Sequence, residues 1–573
     1  MRSLLIFAML LILTQGKGQD SLAHKTALNE VIEAVDSFQA YDREAYPLGL
    51  FTTARYKKEA DFAEEQLALL SEIDKEKLNE RDQISLELLK FVLQERIDRY
   101  ELGMYLNPIQ ADQGFHLNLN YQIRDLANYR QVKRYLKMLQ AIPDYAQQHF
   151  ELMRAGLRQG NSQPRIIFKG YEATYDMHIV KDYSESAFFS PMENLPSDMT
   201  TSQKDSARQV AQMLISEKVV PTFRKIKTFF EKEYLPQTRK EIGISATPGG
   251  WAFYQHRINY YTTSYRYTAE DIHQLGRKEV SRIQNEMYTI IASLGFEGSF
   301  SDFLNFLRTD PRFYADTPEA LLREARDIAK RIDGELPRFF KTLPRRSYGV
   351  KPVPDAIAPK YTGGRYVPPR SETQSGTYLV NTYKLKSRPL YTLPALTAHE
   401  AMPGHHLQGA LNRELSEDFP AFRRQLYLSA FGEGWGLYSE YLAADMGIYR
   451  TPYEKFGQLT YEMWRACRLV VDTGIHALGW SREQAVDFMK SHTALSLHEI
   501  NTETDRYIAW PGQAISYKVG EITIRELRKE AEEALGADFD IRDFHEVILG
   551  EGTVTLPILR QRIAAYIASK SKS

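Results

Sequence analysis

The sequence predicts a mainly α-helical protein with one small β-sheet beside its reactive centre. Three observations carry this prediction. Apolar residues recur at three- and four-residue spacing through most of the chain, helix-capping patterns open several of these stretches, and a single Pro- and Gly-rich segment, 345–391, interrupts them. With 573 residues and 43% hydrophobic content the chain can bury a sizeable core. Its length allows roughly three or four ordinary domains, yet no polar linker separates any. Residues 19–573 are therefore expected to form one helical unit, with a soft subdivision near 243–250 and the catalytic half at 250–573.

The elements follow in order. Arg2 precedes an apolar run from Leu4 to Leu13 and a small-residue exit at Gly16 and Gly18, the pattern of a signal peptide over residues 1–18. The run falls short of the roughly 20 residues that span a bilayer, so the expectation is an exported, periplasmic or secreted protein with no membrane anchor after cleavage. No Cys lies near the exit, which excludes a lipoprotein anchor. Between Glu59 and Tyr100 apolar residues (Leu67, Leu70, Ile84, Leu88, Val92 among them) mark one helical face. Thr268 and Asp271 form a capping-box start, Thr317-Pro318 places a cap before Pro at the first helical position, and Ser481 with Gln484 makes another box. Pro248-Gly249-Gly250 breaks the helical run once. In the Pro-rich segment, Gly376 to Tyr383 is β-branched and aromatic, which predicts a strand. After Leu393 the pattern is helical to the end.

Composition narrows the chemistry. With 73 basic and 74 acidic residues the chain has no electrostatic footprint for nucleic acid. A single Cys rules out an intrachain disulfide and any Cys-rich zinc module, so a transition metal must be held by His and carboxylates. That residue, Cys467, sits among apolar neighbours and is expected in the core.

Residues 397–408 read Thr-Ala-His-Glu-Ala-Met-Pro-Gly-His-His-Leu-Gln, which places three of the thirteen His in eight residues. In the H-E-x-x-H helix, two His four apart bind zinc and the Glu activates water. Here the fourth residue after His399 is Pro403, and the next His are His405 and His406. On an unbroken helix neither shares one ion with His399. Position +7 regains the right face only about 10 Å along the axis. Pro403 lacks the N–H for the His399 carbonyl and Gly404 accepts unusual dihedrals, so a bulge or broken turn there can bring His405 back beside His399. A third ligand is expected on another helix. Glu433 lies within Gly432-Glu433-Gly434-Trp435-Gly436, where each Gly costs a helix about 1 kcal/mol and so signals tight packing or a site. Glu440, two turns on, is placed to orient a ligand His. Asp472 and His476 share a helix face and are expected to serve a buried structural hydrogen bond.

The segment His-Glu-Ala-Met-Pro-Gly-His-His-Leu-Gln resembles the signature of the bacterial "domain of unknown function 885" family. Phe431 to Trp435, Arg468 to His476, Gly479-Trp480-Ser481, and Arg506-Tyr507 through Tyr517-Lys518 resemble its other blocks. That family is in turn similar to helical zinc peptidases of the thimet-oligopeptidase and thermostable-carboxypeptidase type, which carry His-Glu-x-Gly-His. The resemblance implies a large helical fold with a deep cleft and an exported zinc metallopeptidase, carboxypeptidase- or oligopeptidase-like, that acts on peptide substrates. It implies Zn2+ held by His399, His405 and Glu433, with His406 the competitor for the second position, and Glu400 as general base. Tyr517 is the candidate donor to the oxyanion. Arg506, Gln513 and Asn381 are the candidate substrate contacts, and the Gly376–Tyr383 strand is expected to pair with the substrate backbone. Leu437 replaces the Asp that some zinc peptidases place four residues after the ligand Glu, which leaves support of the ligands to Glu440. The alternatives are a zinc hydrolase of a non-peptide amide or modified peptide, and a non-catalytic exported binding protein. Retention of Glu400 argues against the last. Sequence leaves the oligomeric state open.

Overall fold

The structure is a computed structural model. It describes residues 2–571 except 356, 359, 360, 370 and 372, with side chains from Asp20 onward. The start of the leader at Met1 therefore lies outside the described residues. No described helix is long and apolar enough to cross a membrane. The chain divides into two compact units, residues 1–242 with 246–250, and 243–245 with 251–573. The exchange between them falls in the stretch that Pro248-Gly249-Gly250 interrupts.

The first unit is helical. It contains α1 (Arg2–Ser37), α2 (Thr53–Ser71), α3 (Glu80–Glu101), α4 (Tyr129–Arg158) and α5 (Thr201–Leu214). The Glu59–Tyr100 periodicity thus resolves into two helices, α2 and α3, which pack on each other. Asn79 stops the run by capping α3, its side chain accepting from the Asp82 N–H. Beyond α5 the helix loosens into π-helical turns at Ile215–Val219 and Phe229–Tyr234. The core beside α4 is aromatic: Phe115 stacks on His149 at 4.7 Å and His178 lies 4.4 Å from Phe223.

The second unit includes the helices α6 (Ala269–Ser293), α7 (Pro318–Phe339), α8 (Leu393–Glu400), α9 (His405–Arg413), α10 (Ser429–Asp445), α11 (Pro452–His476), α12 (Leu497–Ala509) and α13 (Ser516–Leu535). The capping box of Thr268 with Asp271 and the Thr317 cap open α6 and α7 as the sequence predicts. Buried α11 is the spine, with α6 along one side and α8 against another, while α10 packs along α13. Cys467 on α11 is buried. A buried charge network ties three of these helices. The Lys518 ammonium on α13 meets Glu462 at 2.8 Å, Glu521 at 2.8 Å and Glu279 at 3.1 Å. Burial opposes the Lys518 charge, but these carboxylates outweigh it and hold the residue up at about 12.

Between α7 and α8 lies a mixed three-stranded sheet, β1 (Tyr348–Pro352), β2 (Gly364–Val367) and β3 (Gly376–Val380), in the order β1-β3-β2. β1 runs parallel to β3 and β2 antiparallel to it. The predicted strand is β3, ending at Val380. Its expected role as a rail for substrate backbone is corrected by the topology: β3 is central, and both of its edges are taken by its neighbours. β1 and β2 lie in the Pro-rich stretch, where short length and interrupting Pro and Gly hide their alternation.

Candidate metal centre

α8 stops at Glu400 and α9 starts at His405. In the turn between them the Gly404 N–H donates to the Ala398 carbonyl at 2.9 Å, six residues back instead of the helical four. Two residues are thus looped out. Pro403, with no N–H to give, sits in the loop, and its carbonyl accepts from Trp435 Nε1 at 2.8 Å. A Cβ on Gly404 would lie 1.9 Å from the His399 carbonyl oxygen, so only glycine closes the turn. The loop does what the sequence required of it. His405 returns beside His399, with ring centroids 4.7 Å apart and planes perpendicular.

Both rings face Glu433 on α10. Glu433 Oε2 lies 3.5 Å from His399 Nε2 and 3.4 Å from His405 Nε2. One ligand atom from each of the three residues falls within 4.8 Å of the others. Donors at about 2.0–2.1 Å from a tetrahedral zinc ion stand roughly 3.3 Å from one another, so this donor set fits zinc in both spacing and chemistry. Two glycines make the approach possible. A Cβ on Gly436 would sit 2.7 Å from His399 Cε1, and one on Gly434 would sit 2.6 Å from the Gly520 Cα where α10 crosses α13.

The supporting contacts are specific. His399 Nδ1 pairs with Glu440 Oε1 at 2.8 Å, and Arg465 approaches the same oxygen at 3.5 Å. His399 is buried, which penalises its charge, yet hydrogen bonds to Glu433 and Glu440 outweigh this and raise it to about 10 in the protein alone. Burial likewise opposes ionisation of Glu433, but His405 and His399 hold its carboxyl well below the usual range. His406 faces elsewhere: Nδ1 pairs with the Tyr366 hydroxyl at 3.1 Å and Nε2 with the Arg346 carbonyl at 3.0 Å. Burial lowers it to about 4. Between the two adjacent His, the geometry brings only His405 to Glu433.

Glu400 is half-buried, and its Oε2 accepts the Tyr366 N–H of β2 at 2.7 Å. Its other oxygen has no protein hydrogen-bond partner among the described residues. Tyr517 is buried, with the Arg468 guanidinium 4.5 Å from its ring centre. Arg506 meets Glu503 at 3.5 Å and donates to Gln513 Oε1 at 2.9 Å, so these two substrate-contact candidates are joined to each other. Asn381 lies in the wall of a cavity beside the start of α8. It is fully buried, its amide donates to the carbonyls of Ala358, Tyr361 and Thr362 at 3.0 Å each, and its Oδ1 accepts from the Tyr383 N–H. It fastens the loop after β3 and has no amide hydrogen left for a ligand. Asp472 and His476 are both buried but bond apart. Asp472 accepts from Tyr254 at 2.7 Å and from the Gly512 N–H, while His476 Nε2 reaches the Tyr507 carbonyl.

Sequence reasoning missed Tyr427. Its hydroxyl donates to Glu433 Oε1 at 2.8 Å, opposite the oxygen that faces the two His, and its ring covers Gly432. The residue is 51% exposed, but desolvation where the hydroxyl meets Glu433, together with the Glu433 charge, raises it above the ordinary phenol range. The only signal in the sequence was Gly432 itself, whose missing side chain makes room for the ring.

The fold and the cluster define a large helical protein with a two-histidine, one-carboxylate centre at a broken helix. The same fold occurs in a protein from Colwellia psychrerythraea described as a "putative lipoprotein", at 27% identity and TM-score 0.85, with 96% of this chain and 97% of that one covered. A Shewanella oneidensis protein described as a "putative lipoprotein of unknown function" shares the fold at 17% identity and TM-score 0.67, over 96% of this chain and 99% of the other. No curated protein matches the chain. The chain belongs to the family described as "Bacterial protein of unknown function (DUF885)", whose sequence model matches residues 38–563.

Proposed function

We propose that this protein is an exported zinc-dependent peptidase, with His399, His405 and Glu433 as metal ligands. The observation that carries the reading is the convergence of these three side chains beside a Glu400 that keeps one carboxylate oxygen free of protein partners. Zinc held there supplies a Lewis acid for the scissile carbonyl and for the attacking water. The chain's own residues do the rest. Glu400 takes the proton of the attacking water and passes it to the leaving amine nitrogen, while the Tyr366 N–H fixes its carboxylate plane. Tyr427 holds Glu433 so that Oε2 faces the His pair, and Glu440 sets the ring orientation of His399. Tyr517 is the donor to the oxyanion. Arg506 with Gln513 binds substrate as a joined pair. β2, an edge strand whose backbone already touches Glu400, replaces β3 as the rail for an extended peptide. Export rests on the residue 1–18 pattern and on the description of the two structural relatives as putative lipoproteins.

The test is metal analysis of purified protein together with a mass-spectrometric digest of a mixed peptide library. The expected result is one zinc per chain and cleavage that falls at least about a thousandfold in Glu400→Gln, roughly 4 kcal/mol of barrier, with zinc retained. A metal-free chain, or equal cleavage by the variant, sinks the reading. Fragment lengths report end-directed or internal cleavage directly.

A further inference from the structure

Within the second unit a cavity of about 440 Å³ opens against the start of α8. Tyr314, Tyr391, Tyr461 and Leu393 give it apolar walls. Its charge is one-sided. Lys386, Arg388 and Lys490 line it, and none is in ion-pair contact with a carboxylate among the described residues, although the Glu499 carboxylate feels the Arg388 charge. Arg388 Nε is buried without a hydrogen-bond partner, and its Nη1 reaches only the Ser387 carbonyl, at 3.4 Å. Arg308 also lines the cavity, but its guanidinium is spent on the carbonyls of Thr493, Ala494 and Leu495. Among the described residues the sole acidic residue in the wall is Glu499. Two helices begin there as well: α8, through Thr392 and Leu393, and α12, through its cap Ser496 and Leu497. Helix N-termini carry partial positive charge and favour anions.

The cavity and the candidate ligand His399 share one helix, although His399, Glu400, His405 and Glu433 are not in the cavity wall. Leu396 lines it, and His399 follows three residues later on the same helix, a rise of about 4.5 Å. Gly363, the residue before β2, lines it too. We propose that this cavity receives a carboxylate carried on an apolar body, the C-terminal end of the peptide cleaved at His399, His405 and Glu433. The inference rests on the hydrolytic reading of that centre and adds the substrate class, which is peptides with a free carboxylate end. Arg388 binds the carboxylate through the terminal nitrogens of its guanidinium, whose one hydrogen bond among the described residues is the long Nη1 bond to Ser387, Lys386 and Lys490 add charge at the mouth, and the tyrosines take the terminal side chain.

Calorimetric binding to the purified full-length protein separates this proposal from the hydrolytic one. The probes are N-acetylphenylalanine, its amide, and N-acetylglutamic α-amide. The free acid is expected to bind at least about tenfold tighter than the amide. Lys386→Gln combined with Lys490→Gln, both on exposed side chains, is expected to erase most of that preference. Arg388→Gln is expected to do the same with an unchanged unfolding temperature. If the Arg388 variant fails to fold, the lysine pair decides. Tight binding of the glutamic amide alone keeps the carboxylate site but moves its source from the chain end to an acidic side chain. Equal binding of acid and amide, no binding of either, or an unaffected lysine double variant overturns the proposal. Acid-selective binding by a protein that cleaves nothing leaves the cavity assignment standing and removes the hydrolytic reading. Cleavage without acid selectivity does the reverse.

Discussion

The buried histidines of the first unit and His399 in the second live under opposite electrostatics. In the first unit His116, His149 and His178 are 0–2% exposed and meet aromatic rings, hydroxyls or carbonyls. Burial lowers them to about 3, 4 and 4, so they are neutral core rings. In the second unit His399 is equally buried at 2%, yet Glu433 and Glu440 lift it to about 10. His406, seven residues beyond it, behaves like the first group. Burial therefore does not mark a site. What marks it is the set of carboxylates that the fold spends on a buried ring.

The strongest attack on this comparison is His399→Ala against His149→Phe. The first is expected to weaken zinc binding by at least about a thousandfold, roughly 4 kcal/mol, and the second to leave it unchanged, both read by competition with a chelating dye. Zinc loss in both variants would break the contrast. The next effect is in acid. The folded-state values of His116, His149 and His178 lie below the unfolded value near 6.5, so the unfolded chain binds more protons between those limits. Stability of the first unit should then fall as pH drops from about 6.5 toward 4, by up to about 3 kcal/mol per histidine, in urea titrations at stepped pH. Flat stability over that window would mean that these rings are not held neutral. Glu440→Gln sharpens the other side. It keeps a hydrogen-bond acceptor for His399 but removes the charge, and zinc affinity should drop about tenfold to a hundredfold. The smallest effect is Gly436→Ala. In an ordinary helix interior this change stabilises by up to about 1 kcal/mol, whereas here the new methyl meets the His399 ring and should destabilise by about that amount, as seen in the thermal midpoint.

Much of this was legible in the chain. Thr268, Thr317 and Ser481 open the helices that their capping patterns announce, because a cap acts within one turn and needs no tertiary information. Pro403-Gly404 announced a broken turn for an equally local reason. The three glycines around Glu433 announced close approach, and the structure supplies a neighbour for each of them: the Tyr427 ring, the Gly520 backbone and the His399 ring. What stayed hidden depends on pairing at a distance. β1 and β2 acquire meaning only through β3, and Asn381 looked available because nothing local shows three carbonyls converging on its amide. Tyr427 was one of 35 tyrosines until the fold set it on Glu433.

The looped turn at 401–404 also changes what keeps the centre in register. Where two ligands share one unbroken helix, a single rigid rod spaces them. Here they belong to two rods, and the Trp435 Nε1 bond to the Pro403 carbonyl acts as the clasp between them. Dimensional control of the His pair has passed from helical periodicity to the Gly404–Ala398 bond and to a tryptophan on a third segment, which also carries Glu433 two residues earlier. One helix thus delivers a donor and sets the gap between the other two.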